Sequence, residues 1–261
     1  MMFIKKRLLV GIITNNPDML RISVPRLCRF CFKFILVIHN TNSQKPIKKS
    51  FIRKLGWHGT LNIINSDTDI DAVASTVAII DLAEKKYPHL KWMTFVGDGD
   101  VLLNTEIPNV SENAFAVIQN ATTISGNVAE FLGINKKWIN GTNCGITGPH
   151  LDLNGTWIRF KHLCNFRDFL RPLLPQASKI LKKLKHRFSM SAILWQGINT
   201  FIHETNPGYS ALYMNKTNYV SVRLGTDLAN AAALTAQKTA NIQFNELFRY
   251  GVAQNMVAPE Q

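Results

Sequence analysis

Hydrophobic and polar positions in the first 105 residues fall into blocks rather than strict alternation. Leu8–Ile13, Phe34–Ile38, Leu61–Ile64 and Trp92–Val96 are short apolar runs, each followed by polar residues. Such runs predict strands buried on both faces. Between them the period changes. Asn16-Pro17-Asp18 opens a helix that runs to about Arg29, because Asn caps and Pro suits a first turn. Val73, Val77, Ile80, Ala83 and Tyr87 recur every three or four residues, which predicts an amphipathic helix stopped by Pro88. The stretch before it, Ser66 to Asp71, is rich in helix-capping side chains.

Strands alternating with helices predict an α/β fold with a mainly parallel sheet and helices on both faces. In such sheets ligands bind beyond the carboxyl ends of the strands. Thr14-Asn15-Asn16, His39 to Asn42, the 66–71 loop and Asp98/Asp100 all fall on that edge. Beyond Asn104 the pattern is less regular. Ala114–Ile118 reads as a strand, Gly145–Thr147 as a short strand, and Phe166–Leu174 as a helix stopped by Pro175. The Ala-rich stretch Thr226–Tyr250 reads as a helix stopped by Gly251. The chain reads as one domain, 1–261, with a ligand-binding half over 1–105 and an irregular half with C-terminal helices over 106–261.

Charge changes the picture. The net charge is +13 and the isoelectric point about 9.7, which favours anionic partners: phosphates, polyanions or an anionic membrane face. In residues 179–188, Ile180, Leu181, Leu184 and Phe188 share one helical face and Lys and Arg occupy the rest. That pattern suits peripheral contact with an anionic membrane, or packing on the domain itself. The apolar run near the start is only six residues long and ends in Thr14-Asn15-Asn16, so it reads as a strand rather than a leader. Cys28 and Cys31 form an isolated CxxC, read as two buried thiols one helical turn apart; no second pair follows to complete a zinc site. These features together predict a cytoplasmic protein, with membrane contact at its cytoplasmic face. Four Asn-X-Thr sequons carry little weight in that setting.

The candidate chemistry centres on Asp98-Gly99-Asp100, directly after the run 92–96. In extended chain the two carboxylates share one face. Two hard oxygen donors suit Mg²⁺ or Mn²⁺, ions that usually arrive with a phosphorylated substrate. Gly99 lets the backbone come close to a ligand.

The order of elements, together with Phe95-Val96-Gly97-Asp98-Gly99-Asp100-Val101-Leu102-Leu103, resembles the GT-A class of nucleotide-sugar glycosyltransferases, whose fold is Rossmann-like. The resemblance implies a metal, Mn²⁺ or Mg²⁺, held by Asp98 and Asp100 on the donor diphosphate. It implies a nucleotide-sugar donor, a UDP-sugar on class resemblance, with Asp98 also on the donor side. Thr14, Asn15 and Asn16 lie where that class holds the nucleoside base, and Asp69 and Asp71 are further candidates for base or ribose. The acceptor would be a hydroxyl of a glycan or a lipid-linked glycan, as in surface polysaccharide synthesis. Asn140 to Ile146 and Trp195 to Phe201 resemble segments of the family-8-like retaining transferases. Trp195 stands where that pattern has an acid, and the family's His-X-X-Gly-X-X-Lys-Pro tail is absent, so the stereochemical outcome stays open. An inverting enzyme needs a carboxylate base, and Glu130, Asp152 and Glu204, near Gly- and Asn-rich loops, are the candidates.

Two rival readings differ in class. A metal-dependent nucleotidyltransferase or other phosphoryl-transfer enzyme also pairs carboxylates, but the loop after the first strand is not Gly-rich and no Walker motif occurs. A basic nucleic-acid-binding protein without catalysis would explain the charge at 45–54 and 179–187, but the aromatic and zinc patterns of known modules are absent; nucleic acid is the less favoured partner.

Overall fold

The computed structural model describes residues 7–67, 71–126, 143–144, 148–149, 151–183, 190–224 and 242–254. Four strands carry the first half: β1 (Leu8–Thr14), β2 (Phe34–Asn40), β3 (Leu61–Asn65) and β4 (Trp92–Gly97). They lie in the order β3-β2-β1-β4, every pair parallel. All seven residues of β2 are buried. The reason is visible in the side-chain alternation: Ile35 and Val37 join one hydrophobic cluster, while Leu36 and Ile38 join the other. A strand with core on both sides has no polar face to alternate with.

The sheet then becomes mixed. β9 (Trp157–Arg159) lies antiparallel between β4 and β6 (Ala114–Gly126); β10 (Ser210–Leu224) runs parallel to β6, and β5 (Val101–Leu102) closes the edge antiparallel to β10. β7 (Asn143–Cys144) and β8 (Gly148–Pro149) pair with β6.

Helices cover both faces. α1 (Leu20–Leu27) and α2 (Lys49–Lys54) pack over one cluster with Leu20, Val24, Ile52 and Trp57. α3 (Ala72–Lys86), α4 (Phe160–Leu170), α5 (Leu174–Lys183), α6 (Met190–Thr205) and α7 (242–254) cover the other. Arg167, buried on α4, reaches Asp81 at 3.2 Å and Glu84 on α3 as well as its neighbour Asp168 at 2.8 Å, which fastens α4 to α3. Among the described residues no helix is long and apolar enough to cross a membrane.

The strands expected in the first 105 residues and over 114–118, and the helix through Val73–Ala83, form as read. The second half differs in detail. The helix expected over 166–174 starts at Phe160, and Pro175 does not stop it: after a 3₁₀ turn at Arg171–Leu173, Pro175 sits in the first turn of α5. First-turn N–H groups have no intrahelical acceptor, so proline loses nothing there. Gly251 does not end a helix; it lies inside α7, where a Cβ would come within 2.7 Å of Leu173 Cδ1. Gly197 on α6 plays the same part, since a Cβ there would meet the Phe248 ring at 2.5 Å. Two glycines therefore seat α7 against its neighbours. Ile180 and Leu181 of the basic amphipathic stretch pack on the core cluster, so that part of the face is turned inward; residues 184–188 lie outside the described residues, as do 145–147 and 226–241. Cys28, half-buried, donates its thiol to the Val24 carbonyl at 3.1 Å, Cys31 is buried, and neither is in a disulfide. Burial first, and then Cys31, pushes the Cys28 thiol above its ordinary range.

Candidate functional site

β1 and β4 are parallel neighbours near the middle of the mixed sheet, and both end on the same edge: Ile13 pairs with Gly97. The loops leaving the two strands therefore meet. After β4 the chain turns sharply, with the Asp100 amide donating to the Gly97 carbonyl at 3.0 Å. The two carboxylates thus do not sit on an extended strand with a shared face, as the spacing implied; they lie across a tight turn and have different partners. Asp98 Oδ2 accepts from Thr14 Oγ1 at 2.7 Å, at the end of β1. Asp100 Oδ2 accepts from the Tyr219 hydroxyl at 2.6 Å, from β10. The turn is crowded as well as bonded: a Cβ on Gly97 would lie 2.3 Å from Asp100 Oδ2.

Tyr219 is fully buried. Burial above all, then the Asp100 charge and the hydrogen bond to it, push its phenol well above the ordinary tyrosine range. It stays protonated and donates to Asp100, while its oxygen accepts from the Gly97 amide at 3.2 Å. Gly155, at φ +78°, lies against the ring: a Cβ there would come within 2.7 Å of it. The Gly155 amide donates to the Phe95 carbonyl at 2.8 Å, so the 152–156 turn runs alongside the end of β4.

That turn brings Asp152 to the site. Asp152 Oδ1 accepts from the Asn154 amide at 2.9 Å, its carbonyl accepts from Thr156 Oγ1 at 2.6 Å, and its charge reaches Tyr219. Asn154 donates its side-chain amide to Ser191 Oγ at 3.1 Å, at the start of α6. A cavity of about 260 Å³ opens beside Gly97 between the amino ends of α3 and α6; Ile13, Thr76, Asn154, Ser191 and Leu194 line it.

The remaining candidates have other places. Thr14 is buried, and its hydroxyl serves Asp98 and accepts from the Asn16 amide at 3.1 Å. Asn15 and Asn16 are exposed; the Asn15 carbonyl accepts from Asn42 Nδ2 at 3.1 Å, and Asn16 caps the turn at Pro17–Met19 through the Asp18 amide. Asp71 caps α3, accepting from the Ala74 amide at 2.8 Å, and its other oxygen accepts from Ser178 Oγ. Asp69 and Glu130 lie outside the described residues. Glu204 is exposed near the carboxyl end of α6, thirteen residues from Ser191, which is about 20 Å along a helix. The structure thus gathers Thr14, Asp98, Asp100 and Asp152 and leaves Glu204 at the far end of its helix. His39, on the same edge, is held by the Ser75 carbonyl at 3.4 Å and Ser66 Oγ at 2.8 Å; the carbonyl requires the proton on Nδ1, so Nε2 accepts from Ser66. Burial lowers its pKa.

Mg²⁺ and Mn²⁺ are commonly held by one or two carboxylates, with water and substrate phosphate completing the shell. Asp98 and Asp100 supply that donor chemistry, and among the described residues no group of three or more His, Cys, Asp or Glu side chains forms a fuller metal site. In donor type the two carboxylates suit such an ion.

No protein-family model matches the chain, and no curated protein matches it either. Solved structures with a similar course include a glycosyltransferase involved in the glycosylation of the major capsid of PBCV-1, at 9% identity and TM-score 0.39 over 88% of this chain and 98% of that one. A mannosyltransferase from Pyrobaculum calidifontis, solved with GDP-Man and Mn²⁺, matches at 10% identity and TM-score 0.44 over 99% and 77%. A nucleoside-diphosphate-sugar pyrophosphorylase from Vibrio cholerae matches at 10% and 0.43 over 87% and 99%. Scores and identities in this range lie below the level at which a shared function follows.

Proposed function

We propose that the chain is a glycosyltransferase that moves a sugar from a nucleotide-diphosphate sugar to a hydroxyl of a glycan or lipid-linked glycan. The observation that carries the reading is the pair Asp98 and Asp100 at the carboxyl end of the central strand, each carboxylate held by its own hydroxyl donor, Thr14 or Tyr219. Donors of this kind orient a carboxylate whose remaining lone pairs can be offered to a ligand.

In the reaction the bond from sugar C1 to the diphosphate oxygen breaks, a new bond forms from C1 to the acceptor oxygen, and the acceptor's hydroxyl proton leaves. Asp98 and Asp100 would hold a divalent ion, Mn²⁺ or Mg²⁺, which would supply charge neutralisation for the departing diphosphate. Thr14 and Tyr219 hold the two carboxylates in place. Asn154 and Ser191, both lining the cavity beside Gly97, are placed to orient the sugar. Asp152 is the proton acceptor assigned by position, since it is the expected acid that the fold brings to this edge. Asn15 and Asn16, exposed beside it, are assigned to the nucleoside. The donor is assigned as a UDP-sugar from the class resemblance.

A thermal-shift screen of nucleotide sugars with and without Mn²⁺ tests the reading. Donor binding that requires metal raises the melting temperature only when both are present, and Asp98→Asn abolishes that rise together with transfer. No shift with any donor sinks the proposal. Release of pyrophosphate from a nucleoside triphosphate and a sugar phosphate would assign a nucleotidyltransferase instead.

A further inference from the structure

A second groove lies on the other side of the β1 loop. Between the start of α1 and α2 is a groove of about 390 Å³ lined by Arg21, Lys45, Lys48, Phe51 and Lys54, with Asp18 the one carboxylate in its wall. Asp18 is 3.8 Å from Arg21. Lys45, Lys48 and Lys54 are exposed and form no ion pair among the described residues. Four cations facing one acid make the groove strongly electropositive.

The segment that presents the lysines is pinned from beneath. Asn40, fully buried at the end of β2, donates its side-chain amide to the Lys45 carbonyl at 2.8 Å and the Asn42 carbonyl at 3.0 Å, and accepts from the Asn42 amide at 3.2 Å. Asn65, at the end of β3, clasps Ile47 through both its amide and its carbonyl, at 2.8 and 3.0 Å. Ile47 is buried, so Lys45 and Lys48 project from either side of a fixed point. Phe51 forms a half-buried apolar wall, with the Arg21 guanidinium carbon 5.3 Å from its ring centroid. A loop whose backbone is held by two asparagines loses little entropy when a ligand docks. Like charges converging on one groove gain from an anion that neutralises them, and charge-assisted hydrogen bonds supply the affinity.

We propose that this groove binds a phosphate or pyrophosphate group directly through Arg21, Lys45, Lys48 and Lys54. The site needs no metal, which separates it from Asp98 and Asp100. The inference does not depend on the transferase reading. The two sites share the 14–18 segment, because Asn42 bonds the Asn15 carbonyl and Thr14 bonds Asp98.

Calorimetric titration of sodium pyrophosphate into the full chain, in EDTA and at low ionic strength, tests this. Saturable binding is expected. Lys48→Ala/Lys54→Ala should weaken it by about tenfold or more, the loss of two charge-assisted contacts. Lys85→Ala/Lys91→Ala removes the same charge from exposed positions elsewhere and should keep the wild-type affinity. All four lysines are exposed, and circular dichroism checks that both double variants fold. No saturable binding, or equal losses in the two double variants, overturns the site. Sedimentation with phosphatidylcholine vesicles doped with phosphatidic acid identifies the source of the phosphate. Binding that pyrophosphate competes away, and that Lys48→Ala/Lys54→Ala loses, assigns a lipid headgroup. Pyrophosphate binding without vesicle binding assigns a soluble phosphate.

Discussion

Tyr219 and Asp100 are 119 residues apart in the chain and joined by a 2.6 Å hydrogen bond in the core. The same oxygen accepts from the Gly97 amide, so one phenol ties the last residue of β4 to the second acid of the turn. Tyr219→Phe keeps the ring and removes both bonds. A buried carboxylate and a part-buried amide each lose a partner, an expected loss of about 1–3 kcal/mol. Urea denaturation measures it. In the same variant Mn²⁺-dependent donor stabilisation should weaken, because Asp100 loses its orienting donor. A variant that lost stability while its metal response stayed at the wild-type level would make Tyr219 a packing residue only.

The turn offers a paired test in its two glycines. A Cβ at Gly97 would fall 2.3 Å from Asp100 Oδ2, whereas one at Gly99 would meet only Met19 Cε, at 2.8 Å. Met19 Cε is the free end of a flexible side chain and can swing away. Asp100 cannot move without giving up Tyr219. Gly97→Ala should therefore lower transfer by about a hundredfold, the scale of a displaced functional group, and Gly99→Ala should stay close to wild type. Steady-state rates for the two variants check it, and the reverse order would mean that the position of Asp100 is irrelevant to the chemistry.

The four parallel strands were legible because burial on both faces leaves an unbroken apolar run, as in Phe34–Ile38. The acid pair was legible as a pair, but its conformation was not: the spacing is equally consistent with an extended strand and a tight turn, and the Gly97–Asp100 hydrogen bond decides it. Tyr219 left no local signal. Ser210–Leu224 mixes small, polar and aromatic residues, and the importance of Tyr219 arises only when β10 pairs beside β6 and β5. Of the acids proposed as base, Asp152 reaches the site because the 152–156 turn lies along β4, while Glu204 is carried to the far end of α6. Sequence neighbourhood with Gly and Asn could not separate these two; the placement of β9 and α6 does. The readings of Pro175 and Gly251 as stops followed average preferences, and the exceptions come from a first-turn position and from close helix packing.

Acid should loosen the fold through His162. Its ring lies between Tyr209 and Phe115, at centroid distances of 4.6 and 6.4 Å, and both nitrogens are buried without a partner. Burial, and then the charges of Lys161 and Arg159, push its pKa down from 6.5 to about 4. Above pH 6.5 the ring is neutral in both the folded and the unfolded chain, and the full stability is present. Below it the unfolded chain takes up a proton that the folded chain refuses, so stability falls as pH drops from 6.5 towards 4. The group's share is about 3 kcal/mol; His39, also lowered by burial, acts in the same direction. His162→Phe removes the titration without removing a hydrogen bond. Its stability relative to wild type should rise between pH 7.5 and pH 4.5 in parallel denaturation series, and an unchanged difference would show that His162 does not titrate on unfolding.

Thr14 separates a binding role from a positioning role on the donor side. It is buried, so it cannot touch a nucleoside in this conformation, yet its hydroxyl donates to Asp98 at 2.7 Å. Thr14→Val keeps the shape and deletes the donor. Groups that orient a metal-binding carboxylate typically contribute ten- to a hundredfold in affinity, so the variant should need about tenfold more Mn²⁺ for half-maximal transfer. In Asp98→Asn there is no carboxylate left to orient, and adding Thr14→Val should then change little. The two substitutions are expected to be strongly non-additive in a double-mutant cycle on metal-dependent donor binding. Additive losses would mean that Thr14 acts on the ligand by some route other than Asp98, and the assignment of Thr14 as the residue that positions the first acid would fall.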